Sequence, residues 1–161
     1  MKPNSFKNNS GLMSREVSLE ILTSVLEKEI PLDSAITNSK KITKLSTRDR
    51  SFSRLLVTTV LRRLGQIDAA IDESLRRKLT KNQSVVRNSM RLGIAQLVFL
   101  RTAPHAAINS SVQLVKNNRR SGMAGLVNAV LHKINIDGSL ALQKSSEAEQ
   151  LNTPCWLQKS W

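Results

Sequence analysis

The 161-residue sequence has one cysteine, two histidines, three phenylalanines, two tryptophans and no tyrosine. One cysteine excludes a disulfide framework and a cysteine-based zinc site, and two histidines are too few for most metal centres. Six glycines and four prolines are too few for a β-sandwich rich in tight turns. No apolar run approaches the roughly 18 residues of a membrane span, and residues 1–13 lack the apolar core of a signal peptide. These absences predict a soluble, cytoplasmic protein with no metal and no membrane partner.

Positive charge is abundant, and it is concentrated in one part of the chain. Lysine and arginine total 25 against 12 acids, which gives a formal net charge of +13. Residues 74–136 carry eleven of these basic side chains and no Asp or Glu at all. A solvated helical surface usually mixes both signs because like charges one turn apart repel. The acid-free block therefore favours a nucleic-acid partner, and the alternative is a basic surface that serves only solubility.

Three groups of cations within this block are candidate nucleic-acid-binding residues, and charge alone does not distinguish DNA from RNA. The first lies near a predicted helix end, the second shares one helix face at a spacing of four, and the third crowds the end of the next helix. They are, in that order, Arg76, Arg77, Lys78 and Lys81; Arg87 and Arg91; and Lys116, Arg119 and Arg120. Two arginines on one helix face repel each other unless an anion lies opposite, and for Arg87 and Arg91 we expect that anion to be a phosphate of a nucleic acid.

The spacing of apolar residues predicts helices throughout, and no segment alternates as a strand would. Ser14 is the predicted N-cap of the first helix, and Ser46 with Asp49 has the form of a capping box for a later one. Gly65 is predicted to end that later helix. The sequence therefore predicts an all-α bundle, with a disordered lead over residues 1–13, a helical domain over 14–136 and a linker over 137–161.

Small and polar residues inside the predicted helices predict how these helices pack. Gly93 lies in the middle of a long helix predicted over 84–101, where it would allow another helix to approach closely. Gly125 and Ala129, four residues apart, would give the last helix a face of small residues that allows tight packing. Asn128 lies among apolar neighbours, so we expect it to be buried and to hold a nearby loop backbone.

Residues able to carry out catalysis are few, and none is in a catalytic arrangement. His105 in the first turn of a helix is predicted to be structural or exposed to solvent, and His132 suits the end of the last helix. Cys155 lies in a polar tail without a cation cluster to lower the pKa of its thiol. The chain has no glycine-rich phosphate loop following a strand. No catalytic, cofactor-binding or metal-binding residue is predicted.

Three runs resemble a known family: RLGIAQL at 91–97, APHAAIN at 103–109 and LVNAVL at 126–131. Together they resemble the NusB-like domain at the N-terminus of the RsmB (Sun, Fmu) family of ribosomal RNA cytosine-C5 methyltransferases. The match extends in order over residues 14–136 and includes Arg15 and the helix start at 46–52. The tail NTPCWL at 152–157, with Trp161, resembles the segment that leads into the methyltransferase domain of that family.

The resemblance implies an all-α fold of two three-helix sub-bundles plus short helices, and it adds Arg15 to the candidate RNA-binding residues. It also implies that the domain presents small-subunit ribosomal RNA to a separate methyltransferase domain, which binds S-adenosylmethionine and uses a cysteine nucleophile. This chain contains neither the cofactor motif nor the catalytic cysteine motifs, and Cys155 does not match them. The domain is therefore expected to be non-catalytic by itself, with ribosomal RNA and its own methyltransferase domain as partners.

Two other interpretations remain open. The chain could be a stand-alone antitermination factor of the NusB kind, with RNA and transcription or ribosomal proteins as partners, although such factors do not need the tail. Alternatively, the chain could be one piece of an active methyltransferase. A reading frame continuing beyond Trp161 into a cofactor motif would establish that the parent protein is an enzyme.

Overall fold

The computed structural model describes residues 5–138, 142 and 151–154, with side chains placed from residue 11 onward. Within this part of the chain seven α-helices occur, numbered in chain order: α1 (Ser5–Glu27), α2 (Leu32–Asn38), α3 (Thr47–Arg62), α4 (Leu64–Ser74), α5 (Ser84–Ile94), α6 (Pro104–Asn117) and α7 (Ala124–Asp137). Single 3-10 turns cover Ile42–Lys44, Lys81–Gln83 and Ser121–Met123, and a π-helical turn covers Ala95–Phe99. The described residues contain no strand, so the all-α prediction is confirmed. None of their helices is long and apolar enough to cross a membrane.

Helix α5 is the centre of the bundle and packs against α1, α4, α6 and α7. Val86, Met90 and Ile94 are fully buried on it, as the apolar spacing predicts. Asn88 and Ser89 are fully buried as well, and both form hydrogen bonds, which a buried polar side chain requires. A single hydrophobic core consequently runs from α1 to α7 around this helix.

Gly93 allows α6 and α7 to approach α5, as the sequence predicts. A Cβ atom built on this glycine would lie 2.7 Å from Ser111 Oγ and 2.7 Å from Leu131 Cδ1. Both neighbours are fully buried, so neither side chain can move into solvent to make room. The glycine therefore sets how closely the three helices pack.

We expect Gly93→Val to lower the free energy of unfolding by about 2 kcal/mol or more, because the added atoms overpack a closed part of the core. Urea unfolding followed by circular dichroism measures the change. Gly125→Val on α7 is the matched control, since a Cβ there would meet nothing within 4 Å. Equal unfolding midpoints for the two variants would contradict this account of Gly93.

Helix α1 begins earlier than the sequence analysis predicts, at Ser5 rather than just after Ser14. Ser14 is not an N-cap: it lies inside the helix, 1% exposed, and its hydroxyl donates to the Gly11 carbonyl at 2.8 Å. The Ser14 carbonyl in turn accepts a hydrogen bond from Ser53 Oγ of α3 at 2.7 Å. The segment predicted as a disordered lead is thus helical from residue 5, and residues 1–4 lie outside the described residues.

The N-cap bond of the capping box predicted for α3 is confirmed, because the Ser46 side chain accepts a hydrogen bond from the Asp49 amide at 3.1 Å. The predicted end at Gly65 is wrong. Helix α3 ends at Arg62, and Gly65 lies in the first turn of α4. The long helix predicted over 84–101 also differs, because α5 gives way to the π turn after Ile94.

Helix α7 buries one face only, contrary to the prediction for its small and polar residues. The buried residues recur at helical spacing and are Ala124, Val127, Val130, Leu131 and Ile134. Asn128, Gly125 and Ala129 lie on the opposite face and are exposed. One apolar stripe already fills the contact with α5 and α6, so neither the predicted burial of Asn128 nor tight packing of the small-residue face occurs.

Candidate nucleic-acid interface

The connection between α4 and α5 exposes four of the predicted cations. They are Arg76, Arg77, Lys78 and Lys81. The loop ends in a capping box formed by Thr80 and Gln83, in which the Thr80 amide donates to Gln83 Oε1 at 2.9 Å. This box satisfies backbone groups that would otherwise need water, so it fixes the course of the chain beside the cations.

The end of α6 exposes the second group, Lys116, Arg119 and Arg120. Arg119 has a φ of 61°, the left-handed conformation that usually ends a helix on glycine. A side chain in this region costs roughly 1–2 kcal/mol, so the backbone places an arginine where glycine would be less strained. The Asn118 side chain donates to the Leu114 carbonyl at 2.7 Å and helps to close the helix end.

A direct hydrogen bond joins the two loops, because Arg120 Nη2 donates to the Asn82 carbonyl at 2.8 Å. The two cation groups therefore belong to one end of the bundle, which we call the basic surface: Arg76, Arg77, Lys78, Lys81, Lys116, Arg119 and Arg120. The ion pairs between two described side chains are formed by other arginines, namely Arg54, Arg87 and Arg91. The charges of the basic surface are not neutralised by a described carboxylate.

Arg87 and Arg91 do share one face of α5, but the anion opposite them is part of the protein. Arg91 forms two hydrogen bonds with Asp68 of α4, from Nε to Oδ1 at 2.7 Å and from Nη2 to Oδ2 at 2.8 Å. Arg87 Nη2 lies 2.8 Å from Asp72 Oδ1. The two arginine side chains, Arg91 and Arg87, are only 14% and 18% exposed. The structure thus gives both arginines intramolecular partners, and their predicted contact with RNA stays a prediction.

The same network extends from α5 to α1. Arg91 Nη1 donates to Asn88 Oδ1 at 2.7 Å, and the Asn88 amide donates to Glu27 Oε1 at 3.1 Å and to Thr23 Oγ1 at 3.3 Å. Polar side chains from three helices are therefore linked through Asn88, which is fully buried. We call the set formed by Asp68, Asp72, Arg87, Asn88 and Arg91 the ionic network.

Arg15 is also engaged inside the protein. Its Nε donates to Gln96 Oε1 at 2.7 Å, and its Nη1 donates to the Gly11 carbonyl at 2.8 Å. The guanidinium carbon lies 5.0 Å from the centre of the Phe52 ring. Burial lowers the pKa of Arg15, and the charge of Asp49 opposes that shift. These contacts explain how Arg15 joins α1 to the π turn, whereas its predicted RNA contact remains untested.

Two lysines that the sequence analysis did not select lie close to the basic surface. Lys28 and Lys41 line a cleft of about 330 Å³ together with Asn117 and Asn118 at the end of α6. Glu16 and Glu20 line it as well, and Glu16 accepts a hydrogen bond from the Asn117 amide at 3.0 Å. The lysines come from parts of the chain that also contain acids, so no charge signal in the sequence singles them out.

The residues considered for catalysis do not come together in a site within the described part of the chain. His105 is exposed, and its Nε2 lies 3.1 Å from the Asn109 side-chain amide, which agrees with a surface role. His132 is exposed near the end of α7. Cys155 lies outside the described residues.

A sequence profile of the NusB family matches residues 13–135 of the chain. The chain is 32% identical over 146 residues to the ribosomal RNA small subunit methyltransferase B of Shewanella oneidensis. It is 30% identical over 147 residues to the protein of the same name in an Escherichia coli O1:K1 strain. Both alignments cover 90% of this chain but only 33% and 34% of the relatives. The chain therefore spans about a third of the length of the curated relatives it matches.

Solved structures of low sequence identity have the same fold. A chain in the crystal structure of antitermination factors NusB and NusE in complex with dsRNA matches with a TM-score of 0.67 and 24% identity, covering 81% of this chain and 97% of that chain. A chain in the crystal structure of a plectonemic RNA supercoil also has a TM-score of 0.67 and 24% identity, covering 80% and 94%. The predicted fold class is confirmed by these matches.

Proposed function

The chain belongs to the NusB family, and on that premise we propose that it is the RNA-binding part of a small-subunit ribosomal RNA cytosine-C5 methyltransferase. The observation that carries the proposal is the basic surface. Its two loops meet at the Arg120–Asn82 hydrogen bond, and none of its cations pairs with a described carboxylate. Surfaces of this kind bind polyanions because each phosphate contact releases condensed counterions.

The methyltransferase relatives support ribosomal RNA as the polyanion. They match this chain over nine-tenths of its length and are named for acting on the small-subunit RNA. We infer that the helical domain presents this RNA to a separate catalytic domain and performs no chemistry itself. A cytoplasmic location follows from that substrate.

S-adenosylmethionine would be the methyl donor of the proposed parent enzyme. The described residues of this chain do not fit the cofactor, since they form helices and contain no strand followed by a glycine-rich loop. The cofactor would accordingly be held by the catalytic domain. The residues of this chain contribute by binding and orienting RNA.

A salt titration tests the proposal. Binding of the chain to fluorescent fragments of small-subunit ribosomal RNA is expected to weaken linearly on a log–log plot, with a slope of about 0.7 per phosphate contacted on single strands. Between about four and seven phosphates bound by the basic surface would give a total slope of about 3 to 5. An affinity that is flat between low and moderate salt would contradict binding through phosphates.

The same titration against an unrelated RNA of equal length tests the choice of substrate. Phosphate contacts alone bind both RNAs equally, whereas a domain that presents ribosomal RNA is expected to prefer one fragment of that RNA. Equal affinity for the unrelated RNA and for every ribosomal fragment would still support RNA binding, but it would contradict ribosomal RNA as the specific substrate.

A further inference from the structure

The corner between α3 and α4 is in close contact with a segment far along the chain. A Cβ atom built on Gly65 would lie 1.6 Å from the carbonyl oxygen of Leu151 and 2.3 Å from its carbonyl carbon. It would also lie 3.1 Å from the Asn152 amide nitrogen. The backbone of residues 151–152 thus occupies the space that any side chain at position 65 would need.

The conformation of Gly65 does not by itself require glycine. Among the described glycines only Gly138 has a positive φ, and Gly65 lies in the first turn of a regular helix. If the space beside residue 65 were open, replacing Gly65 by alanine would stabilise α4 by up to about 1 kcal/mol. The approach of Leu151 therefore accounts for the glycine.

Asn152 fixes the contact with two hydrogen bonds to one residue. Its Oδ1 accepts from the Gln66 backbone amide at 3.0 Å, and its Nδ2 donates to Gln66 Oε1 at 2.8 Å. The Gln66 amide is one of the first-turn donors that has no acceptor within its own helix, so Asn152 acts as a cap supplied from a distance. Gln66 itself is 2% exposed.

Arg63 also contacts Gln66. Its Nη1 lies 3.4 Å from Gln66 Oε1, and its guanidinium carbon lies 5.1 Å from the centre of the Phe99 ring in the π turn. The Gln66 Oε1 atom is therefore a shared acceptor for Asn152 and Arg63. The contact at this corner thus combines the close approach to Gly65 with polar contacts to Gln66.

We propose that Gly65 and Gln66 form a docking notch for the chain's own Leu151–Pro154 segment. The notch holds this segment against the α3–α4 corner and so fixes the position of the chain at residues 151–154. In the longer enzyme of the proposed function, on which this consequence rests, the corner rather than the end of α7 would position the catalytic domain.

The test is Gly65→Ala in the full chain. Trp156 and Trp161 are the only tryptophans and tyrosine is absent, so tryptophan emission reports only on the tail. We expect the emission anisotropy to fall, and amide exchange at Leu151 and Asn152 to accelerate by about tenfold or more because the docked state opens. Gly122→Ala is the matched control, since a Cβ there meets nothing within 4 Å.

A second variant tests the hydrogen bonds without adding a clash. Asn152→Ala removes both bonds to Gln66 and is expected to accelerate exchange at the Gln66 amide by about fivefold, a typical effect of losing a cap. If Gly65→Ala matches Gly122→Ala in anisotropy and exchange, or if Asn152→Ala leaves the Gln66 amide unchanged, the notch does not hold the segment.

RNA affinity separates this proposal from the proposed function. The notch lies outside the basic surface, so Gly65→Ala is expected to release the tail and leave RNA affinity unchanged. Release of the tail together with wild-type RNA binding supports both proposals. Wild-type docking in a chain that fails to bind RNA would contradict the proposed function alone.

Discussion

Asp68→Ala is expected to lower the free energy of unfolding by about 3 kcal/mol or more. The substitution removes both oxygens that Arg91 binds, one of which also lies 3.5 Å from Arg87 Nη1. The mostly buried guanidinium of Arg91 then loses its described counter-charge, and Arg87 keeps only Asp72. Breaking a buried pair from one side costs more than the pair itself contributes, because the remaining charge stays desolvated. Chemical denaturation followed by helical circular dichroism measures the loss.

Arg54→Ala is the control for this experiment. Arg54 and Asp33 are 3.4 Å apart, with side chains 64% and 89% exposed, so breaking their pair is expected to change stability by less than about 0.5 kcal/mol. The double variant Asp68→Ala with Arg91→Ala should recover part of the loss, since it removes the stranded charge as well. If Asp68→Ala costs no more than Arg54→Ala, the ionic network does not hold these arginines, and they are available to bind RNA.

Removing the charges of the α4–α5 loop is expected to weaken RNA binding on the order of 100-fold at about 0.1 M salt. The variant combines four substitutions to alanine, at Arg76, Arg77, Lys78 and Lys81. All four side chains are exposed, and none pairs with a described carboxylate, so their loss should leave the fold intact. Fluorescence anisotropy with a ribosomal RNA fragment measures the affinity, and circular dichroism verifies the helices.

A matched variant removes the same amount of charge from another part of the chain. It carries alanine at four exposed cations that lie outside the basic surface: Lys40, Lys44, Arg50 and Arg62. If net charge alone attracted RNA, this variant would bind as weakly as the first. We expect its affinity to fall by less than about tenfold, because long-range attraction is screened within about 10 Å at this ionic strength.

Local signals in the sequence were sufficient to predict the helices and one cap. The apolar spacing of Val86, Met90 and Ile94 places α5, and the Ser46 cap holds because its partner is three residues away. The tight packing at Gly93 could also be predicted, since glycine inside a helix has few other uses. The predicted N-cap at Ser14 is wrong, and the hydrogen bond that its carbonyl accepts from Ser53 joins residues 39 apart in the chain, which no local signal reveals.

The roles of individual cations depend on contacts that composition does not reveal. Arg87 and Arg91 lie in the same acid-free block as the exposed cations, although their partner Asp68 lies just outside that block on α4. Arg91 and Asp68 are 23 residues apart in the chain, and only the packing of α4 on α5 brings them together. The exposed groups were easier to predict because loops between helices are at the surface.

The contact of residues 151–152 with the α3–α4 corner is the feature that is hardest to predict from the sequence. Asn152 and Gln66 are 86 residues apart, and in its local sequence Gly65 resembles an ordinary helix terminator. The position of the Leu151 carbonyl explains why residue 65 is a glycine. A glycine in the first turn of a helix with negative φ would be the signal to examine in related chains.

The salt dependence of RNA binding by the variant lacking Arg76, Arg77, Lys78 and Lys81 tests the central claim most directly. If each of these side chains binds a phosphate, the slope of log affinity against log salt should be smaller than that of the wild-type chain by about 3, or about 0.7 for each phosphate that the variant no longer binds. The variant with alanine at Lys40, Lys44, Arg50 and Arg62 should keep the wild-type slope. An unchanged slope in the first variant would show that RNA is held elsewhere, and would contradict the assignment of the basic surface.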